Sequence, residues 1–135
     1  MTGRLEGKVA IVTGATGGIG AATARRVAGE GCLLVLGGRS AEPGTALAAE
    51  LDAAFVPADL RVDETPERLV GAAIERFGRL DILAKNAAND HTGDLLNTLM
   101  DEVRPLFEVN VFAALRMLQA AGRAMSRQGG GAMST

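Results

Sequence analysis

Glycines crowd one short segment near the start of the chain, Thr13-Gly-Ala-Thr-Gly-Gly-Ile-Gly20. The segment follows a β-branched apolar run and precedes a stretch with helical spacing, the context in which glycines bind phosphate. Gly14 permits a tight turn, Gly18 lets the backbone approach an anion, and Gly20 allows close packing of helix on strand. The free N–H groups of the helix start attract that anion. The segment predicts a pyrophosphate site, with a merely flexible loop as the alternative.

A basic residue follows the next apolar run, about 20 residues beyond the glycine loop. In nucleotide-binding βαβ units, a residue at this position distinguishes NAD from NADP. The sequence there is Gly37-Gly38-Arg39-Ser40 and contains no acid. An acid would bind the ribose 2′-hydroxyl of NAD, whereas a guanidinium suits the 2′-phosphate of NADP. The segment therefore favours NADP(H) over NAD(H), and an ordinary solvated charge at Arg39 is the alternative.

Asn110 interrupts an apolar stripe in a long predicted helix. Its neighbours on that face follow helical spacing: Val103, Leu106, Phe107, Ala114, Met117 and Ala121. Such an amide is either satisfied by backbone groups or part of a site. A second apolar stripe occupies another side of the same helix: Val111, Leu115, Leu118 and Gly122. A helix that is apolar on two sides predicts a partner helix.

The elements that position these residues alternate between strand and helix patterns. The predicted strands are Lys8–Thr13, Cys32–Leu36, Phe55–Pro57 and Asp81–Ala84, and a fifth begins at Ala132–Met133. The first predicted helix carries Ile19, Thr23 and Val27 on its inner face, and the later helices cover 41–52, 66–77 and 101–127. Thr65 is the expected N-cap before Pro66, and Pro105 is expected in a first turn.

This alternation predicts an α/β fold, a Rossmann-type doubly wound parallel sheet with helices on both faces. The expected strand order is 3-2-1-4-5. Residues 1–135 are expected to form a single domain, truncated at the start of its fifth strand, because the sequence stops almost as that strand begins.

Composition excludes several classes of function. Fourteen Lys and Arg against sixteen Asp and Glu give a net charge of -2, which is no footprint for nucleic acid or an anionic membrane. The single cysteine, Cys32, excludes an internal disulfide, is expected to be buried, and points to the cytoplasm. No spacing of metal ligands occurs, and the lone His91 is expected at the surface. Tyr and Trp are both absent from the 135 residues.

Together these motifs resemble the short-chain dehydrogenase/reductase family, closest in style to its 3-oxoacyl-carrier-protein reductases. The loop fits the family pattern T-G-x-x-x-G-x-G, and Asp59-Leu60 resembles the pair that contacts adenine. The segment 78–88 resembles the one that carries N-N-A-G. The resemblance implies Asn110 as a catalytic residue. It implies as cofactor-binding residues Thr13, Gly14, Thr16, Gly18, Ile19, Gly20, Arg39, Ser40, Asp59, Leu60, Asn86, Ala87 and Ala88.

Two positions depart from the N-N-A-G pattern, because Lys85 replaces its first Asn and Ala88 its Gly. A buried ammonium needs a partner, so Lys85 is expected to be a tolerated or damaging change more than a functional one. The extra methyl of Ala88 puts placement of the nicotinamide in doubt.

The resemblance implies an NAD(P)(H)-dependent oxidoreductase that interconverts a carbonyl and an alcohol. Its hydride transfer would need Ser, Tyr and Lys besides the helix Asn. The chain has no Tyr, and Ser134 falls a few residues early for the family's Ser. We therefore expect the cofactor-binding half of such an enzyme, inactive alone and homo-oligomeric through the 101–127 helix. A non-catalytic nucleotide-binding module or pseudoenzyme is the alternative, and a site for FAD or a sugar nucleotide a weaker one.

Overall fold

The computed structural model describes residues 3–135, and its centre is a sheet of five parallel strands in the order β3-β2-β1-β4-β5. Met1 and Thr2, the first residues of the predicted domain, lie outside the described part. The strands are β1 (Val9–Thr13), β2 (Leu33–Gly38), β3 (Ala54–Pro57), β4 (Ile82–Ala84) and β5 (Ala132–Ser134). The predicted strand order is confirmed, and so is the start of a fifth strand.

Helices cover both faces of the sheet, as a doubly wound fold requires. They are α1 (Gly18–Gly29), α2 (Ala41–Leu51), α3 (Thr65–Phe77), α4 (Met100–Phe107) and α5 (Ala114–Arg127), with a π-helical turn (Glu108–Ala113) between the last two. Alternate residues of β1 serve the two sides: Ile11 packs in the cluster that contains α3 and α5 residues, and Val12 in the cluster that contains α1 and α2 residues. All five β1 residues are buried, because both faces are covered.

Helix α1 meets the sheet through smaller residues than expected. Gly20 and Ala24 are buried, whereas Ile19 is 77% exposed. The expected inner face, with Ile19 at its start, is therefore wrong by one residue. Small side chains at positions 20 and 24 let the helix axis approach the strands, and this turns Ile19 outward.

Helix α3 begins one residue before the predicted start. Glu64 is the N-cap, and Thr65 is the first helical residue, so the predicted N-cap is wrong. The Thr65 hydroxyl instead donates a hydrogen bond to the backbone oxygen of Asp59 at 2.7 Å. Gly78 ends the helix with φ of 79°, as a glycine after a helix commonly does.

The predicted 101–127 helix is present as α4, the π-helical turn and α5, which follow one another without a gap. Pro105 is the sixth residue of α4, so its expected place in the first turn is wrong. The wider π-helical turn shifts the phase of the side chains, because each of its hydrogen bonds spans one residue more. Val109 and Ala113 are buried as a result, while Asn110 is exposed.

Among residues 3–135, no helix has both the length and the apolar composition needed to cross a bilayer.

Candidate functional site

The glycine loop connects the carboxyl end of β1 to the start of α1. Gly14 adopts φ of 63°, which suits a residue without a side chain. A Cβ at Gly20 would collide with the backbone oxygen of Gly14, so the close contact of loop and helix requires glycine there. A Cβ added at Gly18 would meet no atom within 4 Å, so there is open space at the helix start. This arrangement fits a pyrophosphate whose oxygens accept hydrogen bonds from the free N–H groups of α1.

Thr13 and Asn86 join the ends of β1 and β4. The buried Thr13 hydroxyl accepts hydrogen bonds from the backbone N–H groups of Asn86 and Ala87, at 3.1 and 3.2 Å. The Asn86 side-chain amide donates to the Gly14 backbone oxygen at 3.2 Å. Both polar side chains therefore hold the loop in place.

A cleft of about 230 Å³ opens at the carboxyl ends of the strands, on the edge where the glycine loop lies. This is the edge at which open parallel sheets bind ligands. The structure brings most of the predicted site residues to its wall: Thr13, Gly14, Thr16, Arg39, Ser40, Asp59, Leu60, Asn86, Ala87 and Ala88. Gly18, Ile19, Gly20 and Asn110 do not line it.

The cleft wall also contains residues absent from the predicted set: Gly37, Gly38, Ala58, Arg61, Asn89 and Val109. Gly38 has a packing reason, because a Cβ there would collide with the methyl group of Thr16. Arg61 directly follows the Asp59-Leu60 pair, and Asn89 directly follows Ala88. Arg61 and Asn89 could therefore have been predicted as cleft residues only from their position next to these motifs.

Asp59 and Arg61 form a bidentate ion pair at the cleft. The Arg61 Nη2 lies 2.7 Å from the Asp59 Oδ2, and Nε lies 3.0 Å from Oδ1. The Arg61 backbone N–H also donates to Oδ1 at 3.0 Å. These bonds, with the charges of Arg61 and Arg39, lower the pKa of Asp59 to about 2. The carboxylate is therefore ionised, and both of its oxygens accept hydrogen bonds from Arg61.

Asn110 is hydrogen-bonded to a residue of the cleft wall. Its Oδ1 accepts the backbone N–H of Asn89 at 2.9 Å, and its Nδ2 donates to the Asn89 backbone oxygen at 2.7 Å. Asn89 lines the cleft. The amide is satisfied by backbone groups, which was one of the two alternatives for an amide at this position.

Lys85 follows β4 and is 8% exposed. Burial lowers the pKa of its ammonium, as expected for a cation removed from water. Ala88 is exposed and lines the cleft. These are the two positions that depart from the family pattern.

Other reactive groups do not gather at the cleft. Cys32 donates to the Lys8 backbone oxygen at 3.2 Å, and burial raises the pKa of its thiol to about 11. Within residues 3–135, no three His, Cys, Asp or Glu side chains come close enough to hold a metal ion.

The fold and the site together define a class of protein. Residues of the glycine loop after β1, a guanidinium after β2 and an ionised carboxylate after β3 surround one cleft at the carboxyl edge of a parallel sheet. This is the arrangement of a Rossmann-type dinucleotide-binding domain.

Comparison with known proteins specifies the family. Residues 8–133 match the short chain dehydrogenase family. The chain therefore belongs to that family, and the resemblance noted from the motifs is confirmed.

Individual relatives match nearly all of this chain. An uncharacterized oxidoreductase of Methylorubrum extorquens is 36% identical over 132 residues, which are 93% of this chain and 53% of the relative. The L-rhamnose 1-dehydrogenase (NAD(P)(+)) of a Sphingomonas species is 35% identical, over 94% of this chain and 52% of its own length. The chain thus spans about half the length of these relatives.

A solved structure has the same fold. It is 7α-hydroxysteroid dehydrogenase in complex with NADH and 7-oxo glycochenodeoxycholic acid, with a TM-score of 0.91 and 30% identity. The match covers 96% of this chain and 52% of that one.

Proposed function

We propose that this chain is a single dinucleotide-binding domain that binds a nicotinamide dinucleotide in the cleft and prefers NADP(H) to NAD(H). The observation that carries the proposal is the meeting of the glycine loop, Arg39 and Asp59 at one cleft. Arg39 is exposed and is the first charged residue after β2. No acid occupies the position that would bind a ribose 2′-hydroxyl, which supports a 2′-phosphate ligand.

Different residues of the cleft would bind different parts of the dinucleotide. The loop from Gly14 to Gly20 would receive the pyrophosphate, and Arg39 with Ser40 would bind the 2′-phosphate. Asp59 and Leu60 would contact adenine. Residues 86–88 would lie beside the nicotinamide ribose, the position that the family resemblance implies for this segment.

Calorimetric titration with NADPH and NADH tests the cofactor preference. We expect tighter binding of NADPH, and we expect Arg39→Ala to weaken NADPH binding by about tenfold or more while changing NADH little, because a charge-assisted hydrogen bond is lost. Arg127→Ala, which removes an exposed guanidinium at the end of α5, is the matched control. Tighter binding of NADH by the unsubstituted chain would refute the preference.

We further propose that the reaction supported by this domain interconverts a carbonyl and an alcohol, and that the 135 residues do not complete it alone. The bound cofactor would supply the hydride. The family assigns proton transfer to a Tyr, and the chain contains none. Asn110 would act as a positioning residue, since it holds Asn89 at the cleft. Oxidation of NADPH by the isolated chain with any of a panel of ketones would contradict this proposal.

A non-catalytic nucleotide-binding module or pseudoenzyme is the second candidate. Lys85 and Ala88 favour it, because both depart from the family pattern beside the expected nicotinamide position. The two candidates differ once the encoding reading frame is known. A Ser followed by Y-x-x-x-K beyond Thr135 supports the enzyme, and their absence supports the module.

Self-association through the α4–α5 region is also part of the proposal. Several large apolar side chains there are between 46% and 66% exposed: Leu99, Met100, Phe107, Val111, Phe112 and Leu115. Large apolar side chains exposed along one stretch of helix support a contact between copies of the chain.

A reducing compartment, the cytoplasm, fits the free thiol of Cys32, and imaging of a fluorescent fusion tests that assignment.

A further inference from the structure

Arg61 belongs to the cleft but to none of the motifs that led to it. It is separated from Asp59 by Leu60, and it lines the same wall as Arg39. Its Nε, its Nη2 and its backbone N–H all donate to the Asp59 carboxylate. The side chain is half exposed, with 51% of its surface accessible, so it is held there by Asp59 more than by packing.

The charge balance of the cleft depends on this residue. The charged side chains among the residues that line the cleft are Arg39, Asp59 and Arg61, two cations and one anion, so the net charge is +1. Without the Arg61 guanidinium the balance would fall to zero. An uncompensated Asp59 carboxylate would then oppose any phosphate drawn to Arg39.

Arg39 and Asp59 line the same cleft, and the charge of Arg39 also contributes to the lowered pKa of Asp59. A phosphate bound by Arg39 would therefore also experience the field of Asp59. The bidentate geometry of Arg61 is the arrangement that neutralises a carboxylate most effectively.

We propose that Arg61 is a specificity-determining residue, which sustains the preference for NADP(H) by neutralising the Asp59 carboxylate beside Arg39 and not by contacting the phosphate. The inference rests on the proposed binding of NADP(H) in this cleft. It assigns to Arg61 an effect on the ribose phosphate of the cofactor, while Asp59 remains the residue beside adenine.

The test is the ratio of the dissociation constants for NADH and NADPH, measured by nicotinamide fluorescence on the full 135-residue chain. Using the ratio cancels effects common to both cofactors, such as a changed contact between Asp59 and adenine. We expect Arg61→Gln to lower the ratio by about three- to tenfold. The uncompensated Asp59 carboxylate would then repel the phosphate across a partly solvated space. Arg61→Lys, which keeps the charge, should preserve most of the ratio.

The double variant Asp59→Asn/Arg61→Gln separates neutralisation from direct contact. Removing both charges restores the +1 balance of the cleft, so we expect the ratio to return to within about twofold of the unsubstituted value. Asp59→Asn alone leaves two cations and should raise the ratio. Arg25→Gln is the matched control, because Arg25 makes a similar bidentate pair with Glu50 outside the cleft.

Two results would overturn the inference while leaving the proposed function intact. One is an unchanged ratio in Arg61→Gln. The other is a lowered ratio that the double variant does not restore, which would mean that Arg61 contacts the phosphate directly. Failure of the unsubstituted chain to bind either cofactor would instead refute the proposed function, and this inference with it.

Discussion

Two buried polar side chains, Thr13 and Asp81, join β1 to the β4 segment at opposite ends of the strand. Thr13 accepts two backbone N–H groups at the cleft end. Asp81 accepts the Val9 N–H at 3.0 Å at the other end and forms a bidentate pair with Arg79. The glycine motif drew attention to Thr13, whereas the pattern around Asp81 indicated only the start of a strand.

Asp81→Asn should lower the free energy of unfolding by about 1–3 kcal/mol near neutral pH, because the buried carboxylate bonds to Val9 and Arg79 are weakened. Urea denaturation measures the change. Glu50→Gln is the control, because its pair with Arg25 is exposed and contributes little. An equal loss in both variants would contradict this account of Asp81.

The effect of Asp81 should depend on pH. Hydrogen bonds from Arg79 hold the pKa of Asp81 below its ordinary value in the folded state. Its stabilisation is therefore complete above the unfolded carboxyl pKa of about 3.9 and is lost as the pH falls through the lower folded-state value. The difference between Asp81→Asn and the unsubstituted chain should shrink steadily on acidification below about pH 4.

At the scale of elements, the strands were predictable because buried parallel strands show as short apolar runs bounded by glycine or polar residues. Their order followed from right-handed crossovers. The details of the helices were less accessible. The π-helical turn at Glu108–Ala113 changes which side chains face the sheet, and the hydrophobic periodicity of the sequence does not indicate this turn. The outward position of Ile19 likewise depends on how closely α1 packs on the sheet.

The same limit applies to the candidate site. Motifs identified the loop, Arg39, and Asp59 with its neighbour, since these residues have a defined chemistry at a strand end. The pairing of Asp59 with Arg61, and that of Asn110 with Asn89, depends on side-chain geometry that a linear pattern does not contain.

Gly20→Ala should test the contact between loop and helix. A Cβ at this position would meet the Gly14 backbone oxygen and would lie 2.7 Å from the Asn86 side-chain nitrogen. We expect the free energy of unfolding to fall by about 1–3 kcal/mol, with weaker NADPH binding, because the loop must shift. Gly29→Ala in the same helix has nothing within 4 Å and should be neutral or slightly stabilising. Similar behaviour of the two variants in urea denaturation would contradict the account.

At the scale of the whole molecule, the chain spans about half the length of its relatives, and several large apolar side chains of α4–α5 are exposed. Leu115, one of these side chains, is 52% exposed. We expect the chain to associate or to be poorly soluble as a monomer, and Leu115→Glu to shift it toward monomer, because a charge in an apolar contact is unfavourable. Sedimentation velocity measures the shift.

Ile74→Glu is the matched control for that experiment. Ile74 is 41% exposed and lies on α3, outside the apolar side chains of α4 and α5 that are proposed to associate. The control should leave the oligomeric state unchanged. A well-behaved monomer of the unsubstituted chain would refute association through this surface.

The central claim is that the cleft binds NADPH, and backbone amide chemical shifts on titration with NADPH test it most directly. We expect the largest shifts at the glycine loop, at Gly38–Ser40 and at Asn86–Asn89, with saturation and with little change at Gly29 or Arg127. Absence of shifts, or shifts confined to α4 and α5, would contradict it.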